Sequence, residues 1–366
     1  MNQRDNYHAM LNRRDPLRLP FDVPMVEPVR RRLADHYGDD DLATRFDLTF
    51  EFHGPNYGVP AKAWEEAYRG LGLELPEPRR VGPMGTVHRV PQAADMGDSV
   101  HMAEMWPMLT ECEDVAVLES LPFPRVGDPG HFAHLERGVA ATHARGRVAV
   151  GLCACTIFER TWYVRGMDRV FMDLFEDHPV TRWLFDYTTA SSCHAMQAYC
   201  EAGVDQIHLG DDVASQIGLM MSKDMWRTHL RPRMQRVVDT IREHQRGHVW
   251  VSYHSDGDLT DLIDDLIELG IDVINPVQPE CMDVEAVAER FGDRVGLYGG
   301  IGTQTTMPFG SPDDVRASVE RLAAIARRGV PMIAAPTHVL EPDVPTENIE
   351  ALVEAIHATD LRAAAV

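Results

Sequence analysis

Tyr253-His254-Ser255-Asp256-Gly257 sets an imidazole and a carboxylate two residues apart at the end of an apolar run. On extended chain such a pair shares one face, so the two groups could exchange a proton or hold one metal ion. The preceding His248–Tyr253 is β-branched and aromatic and reads as a buried strand. Asp258–Leu269 follows, with Leu259, Leu262, Ile263, Leu266 and Ile267 at helical spacing and Gly270 as the stop. A polar turn between a parallel strand and the next helix is where α/β proteins carry their chemistry. Taken alone, the pair reads equally well as a helix-capping aspartate beside a core histidine.

The elements that would position this pair recur along the chain. Arg147–Cys153, Asp205–Gly210, His248–His254, Ile271–Asn275, Val295–Gly300 and Pro331–Pro336 all read as short buried strands, with Arg45–Phe50 as an earlier one. Helical stripes lie between them. Met225, Trp226, Leu230, Met234, Val237, Val238 and Ile241 form one, with Ser222 as N-cap, and Ser311-Pro312 opens another. Such alternation implies a parallel sheet. No G-x-G-x-x-G turn supports an open dinucleotide-binding sheet, so a (β/α)8 TIM-type barrel with an elaborated N-terminal segment is the expected fold. Residues 1–366 read as a single domain, with 1–140 as elaboration and first strand and 141–358 as the main barrel. Residues 55–92 are rich in Pro and Gly and predict short strands turning at Gly85. The Ala-rich tail after Thr359 should fray.

Composition narrows the function classes. The 366 residues are 44% hydrophobic, enough for a substantial core, and contain no apolar run of membrane-spanning length. A cytoplasmic protein is the expectation. A formal net charge of −22 argues against a nucleic-acid partner, whose phosphates require Lys and Arg. Cys112, Cys153, Cys155, Cys193, Cys200 and Cys281 read as thiols, and the Cys153/Cys155 spacing is no zinc signature.

In a barrel, residues just beyond the strand C-termini converge on one site. Those positions hold Glu159, Arg160, Trp162, Tyr163 and Arg165, then Asp211, Asp212 and Gln216, then His254 and Asp256. Gln278, Glu280 and Cys281 follow the next strand, Thr303 and Gln304 the one after, and His338 the last. His254, Asp256 and His338 are a donor set that suits zinc or another divalent first-row metal, with Cys281 as a fourth candidate.

At these positions the chain resembles the uroporphyrinogen decarboxylase superfamily, including its corrinoid-dependent methyltransferase branch. The likeness runs through Gly210-Asp211-Asp212 to Gln216, Met221–Arg227, Tyr253–Asp258, Asn275–Pro279, Gly299-Gly300-Ile301, Ala335–His338 and Pro342–Pro345. It implies a (β/α)8 barrel with its site at the strand C-termini. Decarboxylases of the superfamily carry an R-x-x-G-R-Y segment that grips substrate carboxylates, and Arg13-Arg14-Asp15-Pro16-Leu17-Arg18 lacks that pattern. The methyltransferases bind zinc through a His-x-Cys pair and a later Cys. His254 matches their histidine, Asp256 falls at the first cysteine and His338 near the second.

The resemblance therefore implies a methyltransferase that moves a methyl group between a small methylated substrate and a corrinoid. Its metal would sit at His254, Asp256 and His338, with Glu159 or Asp212 as proton donor. Arg165, Gln216, Tyr163 and Gln278 would contact substrate. Corrinoid-binding proteins carry D-x-H-x-x-G, which Asp205-Gln206-Ile207-His208-Leu209-Gly210 misses by one residue, so the corrinoid would arrive on a separate protein. The alternative is a decarboxylase of a carboxylated aromatic or pyrrole, with His338 as its acid and Arg160 and Arg165 holding carboxylates. A homodimer is compatible with either.

Overall fold

Strands that are apolar on both faces demand cover on both sides, and the computed structural model, which describes residues 1–89 and 105–362, shows how it is supplied. Seven parallel strands form one curled sheet: β1 (Phe50–His53), β2 (Val148–Cys153), β3 (Gln206–Gly210), β4 (Trp250–His254), β5 (Val273–Val277), β6 (Gly296–Ile301) and β7 (Met332–Pro336). They are neighbours in chain order, each joined to the next by helical crossovers. An eighth strand is absent among the described residues. Its place is taken by an extended segment around Phe21. Asp22 N donates to Ala334 O in β7, Ala334 N donates to Pro20 O, and Thr49 N, at the foot of β1, donates to Phe21 O.

The ends of the sheet differ. At the N-terminal end of the strands lies the helix Gln3–Leu11, whose Tyr7 hydroxyl donates to Gln206 Oε1 at 2.6 Å. Tyr7 and Leu11 pack with Phe50, Val148, Val150, Val273, Tyr298 and Ile333 in an apolar cluster between the strands. Arg4 and His8 both reach Asp205, which also meets His143. The C-terminal end of the strands carries the long loops, and there the register matters most. Gly210 pairs with His254, and His254 with Asn275. Gly210 has to be glycine, because a Cβ there would stand 2.5 Å from His254 O.

Several elements differ from their expected bounds for identifiable reasons. Arg45–Phe50 is not a strand: Asp41 caps a short helix, Leu42–Arg45, Asp47 turns with positive φ, and β1 starts at Phe50. The helix expected from Asp258 begins as a tight turn, Thr260–Leu262, and continues as Ile263–Leu269, because Asp258 N is held by Ser215 O. The stripe after Ser222 splits into Lys223–His229 and Arg231–His244, broken at Leu230 ahead of Pro232. Ser222 caps the first of these as expected, and Ser311 forms a full capping box with Asp314. Gly85, at φ 82°, does turn between two short strands, Arg79–Val81 and Val87–Arg89. The helix Ala61–Gly70 was not foreseen; its Trp64 and Tyr68 leave no room for a Cβ at Gly85, and Tyr68 donates to Gly85 O. Residues 90–92 of that stretch lie outside the described residues. All six cysteines are free thiols. The last helix ends at Ala358. No helix among the described residues is long and apolar enough to cross a membrane.

Candidate active site

The register of β3, β4 and β5 brings three of the strand-end side chains together. One ligand-type atom from each of Asp212, His254 and Asp256 lies within 4.8 Å of the other two. His254 Nε2 stands 3.7 Å from Asp212 Oδ1 and 3.8 Å from Asp256 Oδ1. His338 joins from the end of β7, its Nε2 3.8 Å from Asp256 Oδ2. The backbone braces the group: Asp256 N donates to Asp212 Oδ1 at 2.8 Å, and Gly257 N donates to Gln278 Oε1.

The imidazole of His254 is aimed by its neighbour. Nδ1 lies 2.7 Å from Asn275 Oδ1, so with the amide so oriented Nδ1 carries the proton and Nε2 faces the carboxylates. A neutral ring in that pose would turn a lone pair on two anions. A positive charge at that point, whether a proton or a metal ion, removes the conflict. Burial favours the neutral ring, yet Asp212 and Asp256 hold the His254 pKa above its ordinary value. Donor atoms on arms of about 2.0–2.2 Å around one tetrahedral ion stand roughly 3.4 Å apart. The two separations from His254, 3.7 and 3.8 Å, need a contraction of a few tenths of an ångström to reach that spacing, and all three ligand-type atoms already lie within 4.8 Å of one another. The residues therefore fit a divalent ion, with an oriented imidazole of the kind metal sites use.

Buried acids stand behind the cluster. Asp211 accepts from the N–H groups of Ile157 and Glu159 at the start of the helix Phe158–Arg165, and burial pushes its pKa up to about 7. Glu159 accepts from Tyr163 Oη at 2.6 Å and from Asp212 N at 3.2 Å. Burial, then the charges of Asp212 and Asp211, push its carboxyl up to about 8. It is a carboxylic acid at neutral pH, in contact with the cluster's backbone.

In front of the cluster is a cavity of about 290 Å³. His254, His338, Asn275 and His208 line it with Asp22, Tyr298, Phe52 and Leu152. Phe52 and Leu152, apolar side chains left 41% and 38% exposed, mark it as room for an apolar body. Burial lowers the His208 pKa to about 3 and lowers that of His338 as well, so both rings are neutral.

The expected site residues divide clearly. His254, Asp256 and His338 come together. Asp212, expected as a proton donor, stands in the ligand cluster instead. Cys281 is outside that cluster; its N–H is tied back to Gln278 O and its thiol is half-buried with its pKa raised by burial. Arg165 does not face substrate: it is fully buried, bonded to Asp173 at 2.9 Å and to the carbonyls of Leu109, Thr110 and Cys112. Tyr163 supports Glu159 and sits 3.5 Å from Cys155 Sγ. Gln278 positions Gly257 through a backbone contact. Gln216 lies at a hairpin tip on the rim, bonded to Gln304, whose N–H is held by Glu280. Arg160 reaches Cys153 Sγ at 3.6 Å, while its Nη1 is buried without a hydrogen-bond partner among the described residues. Asp22, His208 and Tyr298 were missed. Only His208, two residues before a strand end, carried a period-two signal that could have found it.

A parallel strand-end cavity with an imidazole–carboxylate cluster defines a TIM-like α/β enzyme scaffold. Residues 90–359 match the model of the uroporphyrinogen decarboxylase (URO-D) family, and the chain belongs to that family. Among solved structures, a methyltransferase from Methanosarcina mazei superposes with a TM-score of 0.62 at 18% identity, covering 98% of each chain. A putative vitamin-B12 independent methionine synthase from Listeria monocytogenes gives 0.37 at 13% identity, over 61% of this chain and 67% of the other. A β-glycosidase from Thermosphaera aggregans gives 0.44 at 12%, over 96% and 88%. The last two superpose too loosely to bear on the site. No curated protein sequence matches this chain.

Proposed function

We propose that this URO-D family protein is a methyltransferase that moves a methyl group between a small methylated substrate and a corrinoid carried on a separate protein. The observation that carries the reading is the Asp212–His254–Asp256 cluster, with His338 beside it, at the edge of a largely apolar cavity. The full-length likeness to the Methanosarcina mazei methyltransferase supports the scaffold on which such chemistry would run. Such a transfer would break the bond from heteroatom to methyl carbon with the heteroatom keeping the electron pair, and a corrinoid in its cobalt(I) state on the separate protein would supply the nucleophilic pair for the methyl group. Zinc or a similar divalent ion held by Asp212, His254, Asp256 and His338 would supply Lewis acidity toward that heteroatom.

The chain's own residues do the rest. Asn275 fixes the His254 ring with Nε2 toward the cluster. Gln278 and Asp212 hold the Asp256–Gly257 turn. Glu159 keeps a proton beside Asp212 near neutral pH, close to where the leaving group gains charge. Phe52 and Leu152 keep water from the apolar body of the substrate. A decarboxylase of a carboxylated aromatic is the second reading, favoured by the buried, incompletely bonded Arg160 guanidinium.

The test is methyl transfer to free cob(I)alamin from a panel of methylated aromatics, amines and thioethers, read as methylcobalamin and demethylated product formed, with metal content measured on the same preparations. Wild type should copurify with a divalent metal and transfer methyl groups, and His254→Ala should lose both. A folded, metal-replete wild type that demethylates none of the panel, or a His254→Ala variant at wild-type rate, overturns the reading.

A further inference from the structure

The cavity has a second charged end that the methyl-transfer chemistry does not use. Asp22 belongs to the extended segment that stands in for an eighth strand, and it lines the same cavity as His254. Counted through that segment, β1, β2 and β3 separate it from β4 on one side, and β7, β6 and β5 on the other. Asp22 and His254 therefore face one another across the mouth. Asp22 is 7% exposed and forms no ion pair among the described residues. One oxygen accepts from Val23 N at 2.8 Å, and the other has only a long contact, 3.4 Å, from Tyr298 Oη. Its carboxylate has acceptor positions to spare.

Among the described residues no Lys or Arg lines the cavity. Burying an isolated carboxylate is costly unless a partner compensates it. Tyr298 and Phe52 add aromatic surface beside the same space, which also favours a cation.

We infer that the substrate has a cationic nitrogen at the end opposite its methylated heteroatom, and that Asp22 binds this cation. The inference rests on the methyl-transfer reading for the orientation it assigns: methyl-bearing heteroatom toward His254 and Asp256, ammonium toward Asp22, apolar body along Phe52 and Leu152. Asp22 is thus a specificity residue, with no part in breaking the methyl bond.

Three probes of one shape and different charge test it: 4-methoxybenzylamine (an ammonium at neutral pH), 4-methylanisole and 4-methoxybenzoate. Their affinities for the full-length, metal-loaded protein are measured by calorimetry at pH 7.5. Wild type should bind the ammonium about tenfold or more tighter than the neutral probe, the worth of one charged hydrogen bond, and the benzoate weakest. Asp22→Asn should erase the cation's advantage and leave 4-methylanisole binding unchanged. Asp22→Glu should retain part of it. A wild type that binds the benzoate best, or an Asp22→Asn variant that keeps the cation preference, overturns the inference. Because the readout is binding, it can succeed where methyl transfer fails, and methyl transfer can succeed with neutral donors only. The two ideas therefore fail separately.

Discussion

Asp22→Asn should make the protein more stable, and more so as pH rises. Burial moves the Asp22 carboxyl from 3.8 to about 6, offset only in part by Val23 N–H and the Tyr298 hydroxyl. A carboxyl whose folded pKa is raised stabilises the fold in its protonated form below the unfolded value. That contribution is lost as pH climbs from the unfolded pKa through the folded one. Above pH 7 the charge is in place and its burial costs about 3 kcal/mol, a shift of about two units at 1.36 kcal/mol each. At pH 5 the same arithmetic leaves roughly 1.6 kcal/mol. Asparagine keeps the shape and carries no charge. Urea unfolding at pH 8 should therefore show the variant stabilised by roughly 3 kcal/mol, and at pH 5 by about half as much. Equal stability of the two proteins at both pH values, or a variant less stable at pH 8, would refute the claim that Asp22 is an uncompensated buried charge.

Other residues give independent checks. Asn275→Ala frees the His254 ring and should weaken metal binding by about 10–100-fold, read by competition with a chromophoric chelator; unchanged affinity would mean that Asn275 does not aim the ring. Cys281→Ser should leave metal content and the spectrum of the cobalt-substituted protein as in wild type, whereas a lost thiolate band would return Cys281 to the ligand set. Arg165→Met should cost about 3–5 kcal/mol in urea unfolding, because Asp173 and three carbonyls lose a buried partner, while affinity for 4-methylanisole stays the same. A large affinity loss in a stably folded Arg165→Met protein would restore its expected role at the substrate.

Strand positions were legible because fully buried parallel strands are written as β-branched and apolar runs. Six of the seven strands fall within two residues of where the sequence puts them; β1 was read early, across a turn at Asp47 that gives no Gly or Pro signal. His254, Asp256 and His338 were legible as residues just past strand ends. Which fourth group joins them was not, since that depends on register and loop path: Asp212 is brought in by the pairing of Gly210 with His254, while Cys281 curls back onto Gln278. Arg165 also follows a strand, but its helix carries it to the far side of the site. Asp22 left no trace because Pro20 and Pro24 flank it, and a segment with so few N–H donors does not read as strand.

The helix Gln3–Leu11 that closes the lower end of the sheet carries a consequence for synthesis on the ribosome. Its Arg4 and Tyr7 wait for partners at Asp205 and Gln206, translated about 200 residues later. At about 5–20 residues per second, that is on the order of 10–40 s before those two polar partners are made. The Phe21 segment waits longer still, for Ala334. These two segments thus complete their contacts late, and closing such distant contacts is what slows a topology of this kind.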